Sequence, residues 1–198
     1  MKAYAGYKSE PSGKAYEQLP PGPYVAQIKA VRVEGHDPDE TLVIRLDVSE
    51  GQYEGYYTKR YIHDTKNEKS RYPAKYKGDF RLRIPNDDNK KAMYPDSDKK
   101  KFEDAMWRIE QTNPGYRWEW DEESVQKLKG LTVGISVQQG TYNGSGYTKI
   151  ARLEVADDVR KGLVKTMLPM APRSDASYDP PIDQQSGFAM VNTDEVPF

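Results

Sequence analysis

Residues 24–34 read YVAQIKAVRVE, and the fold turns on where their apolar alternation breaks. Tyr24, Ala26, Ile28 and Ala30 share one face of an extended chain, with Gln27 and Lys29 opposite. Side chains of a strand alternate with period two, yet Val31 and Val33 then become the apolar pair. A one-residue slip of phase is the mark of a β-bulge, which bends a strand and increases its twist. Curled sheets and barrels use that device.

Upstream, Leu19-Pro20-Pro21-Gly22-Pro23 is a stiff turn that leads into this strand. Downstream, residues 35–40 (GHDPDE) form an acidic turn. Residues 41–48 then alternate, with Leu42, Ile44, Leu46 and Val48 inward and Val43, Arg45 and Asp47 outward. After a turn at 51–55, residues 56–62 are expected to be a third strand. Ile62 marks Tyr56, Thr58 and Arg60 as its inner companions, which leaves Tyr57, Lys59 and Tyr61 facing water. Residues 64–89 are basic and aromatic, and only 80–84 look strand-like.

Helical signals follow. Ser97 or Asp98 can cap a helix whose apolar stripe is Phe102, Ala105, Met106 and Ile109. Asn113-Pro114-Gly115 ends it, and Trp107, beside the stripe, is assigned to the core. Trp118 and Trp120 share one face of an extended piece; they fit a core position, a lid or a stacking pair, with core favoured. Residues 121–129 read as a short helix with Val125 and Leu128 inward and Gly130 at its end. Residues 131–137 and 147–155 are strands around the turn signal Asn143-Gly144, and 157–165 carry a last helical turn. From Pro169 no period survives, which reads as a disordered tail.

Three strands, a helical insertion and two strands make a mainly β protein. That chain order is the order of the OB-fold, a five-stranded Greek-key barrel. The expected division is an N-terminal arm at 1–18, the OB-fold domain at 19–165 and an acidic tail at 166–198.

Composition narrows function. The 198 residues are 31% charged and 36% hydrophobic, with 30 Lys and Arg against 31 Asp and Glu. Zero cysteines exclude disulfides, Cys-ligated zinc, iron–sulfur clusters and thiol catalysis. No apolar run approaches the ~18 residues of a membrane span, and residues 1–18 lack a signal-peptide core. A soluble intracellular protein is the expectation.

The near-zero net charge conceals a division. Residues 56–91 hold 11 Lys and Arg against 5 Asp and Glu, whereas residues 169–198 hold one Arg against four Asp and one Glu. A basic, ring-rich stretch beside an acidic tail is what a single-strand binder needs, because cations track phosphate and flat rings stack on bases at ~1–3 kcal/mol per base. Tyrosine supplies 15 of the aromatic residues. Candidate nucleic-acid contacts are Tyr57, Lys59, Arg60, Tyr61, Arg71, Tyr72, Lys75, Tyr76, Lys77, Arg81 and Arg83. Tyr142, Tyr147 and Lys149 join them from the loop between the last two strands, which reaches the ligand in OB-folds.

Other signals fall away. His36 and His63 have no metal-ligand spacing, the acids around Asp37, Asp39 and Glu40 lack the glycine and terminal glutamate of a calcium loop, and Asp87-Asp88 has no partner acid. Gly140, Gly144 and Gly146 lack the Gly-Lys-Ser/Thr of a phosphate cradle. With no nucleophile–base pair apparent, the reading is a non-enzyme without cofactor or metal.

The chain ends in Asn192-Thr193-Asp194-Glu195-Val196-Pro197-Phe198. Phe198 offers a ring and a carboxylate to a pocket, Asp194 and Glu195 steer it to a basic rim, and Pro197 lowers the cost of ordering Val196 beside it. This is a partner-binding hook. It resembles the tip of bacterial single-stranded-DNA-binding proteins, which runs acid, acid, acid, Ile, Pro, Phe and recruits replication and repair enzymes; Thr193 departs from the first acid. The body resembles phage-encoded single-stranded-DNA-binding proteins of prophages in low-GC Gram-positive bacteria, through LPPGPYVAQI (19–28), LVIRLDVSEGQYEGYY (42–57), NPGYRWEWD (113–121) and KGLTVGISVQQGTYNG (129–144). That resemblance implies an OB-fold, cooperative or multivalent binding of single-stranded DNA during phage replication or recombination, and residence in the bacterial cytoplasm. The tetramer of cellular relatives is not carried over, and homo-oligomerisation stays open. The rival expectations are an OB-fold adaptor that binds replication proteins and touches DNA weakly, and a metal nuclease built on the Asp clusters.

Overall fold

Strand β1, Gly22–Glu34, carries a bulge just before the slip expected after Ala30. In the computed structural model, which describes residues 16–36, 39–66, 73–86 and 95–172, its register against β2 (Thr41–Val48) shifts between Ile28 and Ala30, with Lys29 the extra residue. β1 also pairs with β4 (Thr132–Tyr142) along its first half, Gly22 to Gln27. β3 (Asp79–Arg83) adds to β2, and β5 (Ser145–Glu154) adds to β4. The result is a five-stranded antiparallel sheet in the order β3-β2-β1-β4-β5.

Four helices lie among the described residues: α1 (Tyr56–Lys66), α2 (Pro95–Thr112), α3 (Glu122–Lys127) and α4 (Ala156–Arg160). The protein is therefore mainly β. The helical insertion α2–α3 stands between the third and fourth strands. α2 lies against β3, β4 and β5, so it spans the two edge strands, which approach each other without a hydrogen-bonded ladder among the described residues. Its stripe of Phe102, Ala105, Met106 and Ile109 is buried on Ile28, Leu42, Ile44, Leu46, Val133, Ile135, Val137 and Leu153. Each fully buried Phe, Met, Ile, Leu or Val among them contributes about 1.5–3 kcal/mol. Asp121 caps α3 by accepting from the Ser124 N–H at 2.7 Å. Asn143 and Gly144, both at positive φ, close the β4–β5 hairpin as a two-residue turn.

Several expectations are corrected. Residues 56–62 are not the third strand but the start of α1; the third strand is Asp79–Arg83. Tyr, Thr and Ile favour strands, but here a tertiary cap overrides the preference. Asp47 of β2 accepts from the backbone N–H groups of Tyr57 and Thr58 and orders the first turn. Asp47 is thus buried rather than outward. Val43 is buried as well, flanked in register by Arg32 and Arg81. Ile62 is exposed, because on a helix it no longer alternates with Tyr61. Trp107 is exposed too: about 100° per residue puts it on the far side of α2 from Ile109. α2 begins at Pro95, ahead of the expected caps at Ser97 and Asp98. Among the described residues no helix is long and apolar enough to cross a membrane.

Candidate nucleic-acid interface

The outer face of β1, β2 and β3 is a lattice of arginines. Arg45 and Asp79 are register partners, and they bond through Nε–Oδ1 at 2.9 Å and Nη2–Oδ2 at 3.3 Å. Arg32 reaches Asp79 at 3.4 Å and Glu34 at 2.7 Å, and Arg81 reaches Glu34 at 2.5 Å. Arg83 pairs with Asp39. The two guanidinium partners, Arg81 first, hold the Glu34 carboxyl below the usual carboxylate range. Sequence reasoning missed Arg32, Arg45 and Asp79 as members of this face; the outward alternation of Arg45 on β2 was the available signal.

Rings complete the face. The Arg45 guanidinium lies 4.6 Å from the centroid of Tyr76, a cation–π contact. The Tyr76 hydroxyl donates to the Leu46 carbonyl at 3.0 Å, and burial pushes its phenol up to about 12. Gly78 makes this seat available. A Cβ there would lie 2.4 Å from the Leu46 carbonyl and 2.8 Å from both the Tyr57 and Tyr76 rings, so only glycine passes. Tyr61, on α1, meets Tyr76 at 5.9 Å with a tilt of 59° and is 40% exposed.

The expected contacts divide. Tyr61 and Tyr76 come together beside Arg45, Arg81 lies on β3 with Asp79, and Lys75 and Lys77 flank Tyr76 in sequence. Lys75 and Lys77 are exposed and make no ion pair among the described residues. Tyr57 belongs to the core instead: it is 4% exposed, packs edge-on against Tyr56, and burial raises its phenol. Lys59 is exposed and donates to the Glu54 carbonyl at 2.6 Å. Arg60 is half-buried, donating to the Tyr56 hydroxyl and pairing with Asp64 at 3.7 Å. Tyr142, Tyr147 and Lys149 lie on β4 and β5, beyond β1 from this face. Tyr147 lies across Gly140, where a Cβ would meet both its ring and Met170 within 2.8 Å. Residues 168–170 hold that region, with Gln138 donating to the Leu168 carbonyl and the Met170 N–H to the Gln139 carbonyl. Arg71, Tyr72 and the hook Asp194, Glu195, Val196, Pro197 and Phe198 lie outside the described residues.

Chemically, the face offers one exposed ring backed by a second, a guanidinium stacked on that second ring, and two exposed ammonium groups with no ion pair among the described residues. Among the described residues no group of three His, Asp or Glu side chains is placed to hold a metal ion. In comparisons with known proteins, no family model and no curated relative matches the chain.

Proposed function

We propose that the protein binds single-stranded DNA, largely without sequence preference, on an OB-fold whose β2–β3 side carries the contact. The observation that carries this reading is the Tyr61–Tyr76–Arg45 array flanked by Lys75 and Lys77. Stacking on Tyr61 supplies sequence-tolerant affinity, and the lysines and the exposed part of Arg81 supply phosphate contact. The strand order β3-β2-β1-β4-β5, with α2 spanning the outer strands, supports this reading, because an OB barrel opened between β3 and β5 would have that order. In this reading the hook at 194–198 recruits replication or recombination proteins, as the resemblance to phage single-strand binders implies.

The test is a fluorescence titration with oligo-dT and with duplex DNA at several salt concentrations. Single-strand preference and a salt slope of about −0.7 per neutralised phosphate are expected. Magnesium-dependent degradation of the oligomer would replace the reading with a nuclease.

One observation favours the rival adaptor reading. Glu34 and Asp79 already hold Arg32, Arg45 and Arg81, which reduces the charge left for phosphate. Absence of binding at low salt would decide for the adaptor.

A further inference from the structure

Val31 and Val33 point to the face of β1 opposite Arg32 and Arg45, and between them and α3 lies an open groove of about 370 Å³. Its apolar lining is Val31, Val33, Ile84, Trp118, Trp120 and Val125. Two of these are large and wet: Trp120 is 58% exposed and Val33 41%. Trp120 stacks on Phe102 with centroids 5.3 Å apart and meets Trp118 edge-on at 5.8 Å. Its backbone sits at φ +57°, a region that bulky side chains avoid. A tryptophan held there in water is neither relaxed nor well buried, which is the pattern of a residue kept for contact. The Trp118 indole Nε1 is buried without a hydrogen-bond partner among the described residues, so the groove wall lacks one acceptor.

The rim decides the class of occupant. Glu40, Asp121 and Glu122 line it, and the hydrogen bond from Ser124 keeps the Asp121 carboxyl below the usual range and therefore charged. Among the described residues the single cation lining the groove, Arg32, is already shared by Glu34 and Asp79. Phosphate is repelled here, so the tryptophans are poorly placed for a nucleic-acid strand. We infer that this groove docks a short cationic amphipathic segment of a partner protein. One or two aliphatic side chains insert between the indoles and Val33, and neighbouring lysines or arginines reach Glu40, Asp121 and Glu122. The site lies on the opposite face of the sheet from the Tyr61–Tyr76 array, and it stands whether or not that array binds DNA.

The test uses the full chain and a fluorescein-labelled Lys-Lys-Leu-Met-Lys-Lys peptide, read by anisotropy to millimolar protein. Because the acidic tail attracts any cation, Lys-Lys-Ser-Ser-Lys-Lys is run beside it. Saturable binding of the first peptide is expected, weakened at least about tenfold by Leu-Met to Ser-Ser, by Trp120→Gly or by Glu40→Lys with Glu122→Lys. Glycine tolerates positive φ, so Trp120→Gly keeps the fold, and the charge reversals are a second route on an exposed rim. Oligo-dT affinity stays unchanged in these variants. The inference is overturned by absence of saturable binding, by equal binding of the serine peptide, or by indifference to both sets of variants. Displacement of the peptide by oligo-dT would make the groove a nucleic-acid site. A mass by sedimentation that falls from dimer to monomer in Trp120→Gly would assign it to a second copy of the chain. Either result overturns the inference as well.

Discussion

Asp47 on β2 accepts the backbone N–H of Tyr57 at 2.9 Å and that of Thr58 at 3.3 Å, so one buried carboxylate holds the start of α1. A charge at a helix N-terminus satisfies orphan donors and meets the positive end of the helix dipole. The same bond fixes Tyr57 in the core, and Tyr61, one turn later on the same face of α1, lies nearer the surface beside Tyr76.

Asp47→Ala is therefore expected to cost about 1.5–3 kcal/mol, the range for hydrogen bonds to a charged acceptor. Asp47→Asn keeps one acceptor and loses less. Urea midpoints measure the difference. A neutral Asp47→Ala would mean that the turn at 51–55 orders α1 without the cap.

Tyr61→Ala tests the stacking ring. It is expected to weaken oligo-dT binding by about 1–3 kcal/mol while leaving the melting temperature within a few degrees, because Tyr61 is 40% exposed. Tyr57→Ala should do the reverse, lowering stability by about 3–5 kcal/mol as a buried ring does. Lys75→Gln and Lys77→Gln should each flatten the salt slope by about 0.7. Equal DNA affinity in Tyr61→Ala and the parent would remove the ring from the contact.

Shortening the chain to residue 190 removes Asp194, Glu195 and Phe198. If the acidic end competes with DNA for the basic face, binding at low salt tightens, and the gain shrinks as salt screens it. Unchanged affinity at low salt would show that the tail does not compete.

Alkaline pH should destabilise the protein through its buried phenols. Burial raises Tyr24 and Tyr76 to about 12 from an unfolded value of 10.0, and raises Tyr57 further. Between those values the unfolded chain releases protons that the folded chain retains, so the stability present below pH 10 falls as pH rises toward 12. Glu34 acts in the opposite range: lowered from 4.5 by Arg81 and Arg32, it favours the fold above that value and loses the contribution as pH falls below it. Tyrosinate absorbance followed beside circular dichroism checks the alkaline arm; ionisation of all tyrosines without loss of structure would contradict it.

Much of the sheet was legible. The inward set Leu42, Ile44, Leu46 and Val48, the Asn143-Gly144 hairpin and the stripe of α2 are local patterns, and each appears where its residues place it; the phase slip read after Ala30 appears as a bulge at Lys29. Of the candidate interface, Tyr61, Tyr76, Lys75 and Lys77 were legible as rings and cations in one basic stretch. The burial of Tyr57 was not, because period two was applied to a segment that is helical. Tyr57–Tyr61 and Arg60–Asp64, both four apart, were the helical spacing available in the same residues.

The sequence by itself determined the elements whose signal lies within a few neighbours: the alternation of the paired strands, the presence of a bulge in β1 and the β4–β5 turn. Only the tertiary structure decided that residues 56–66 are a helix, that Asp47 and Val43 are buried, and that Arg45 stacks on Tyr76. Each of these depends on a partner far along the chain: a carboxylate ten residues before the amide it caps, and a ring thirty-one residues after the guanidinium it meets. Such partners add nothing to local propensity, and they act only once β2 has brought them together.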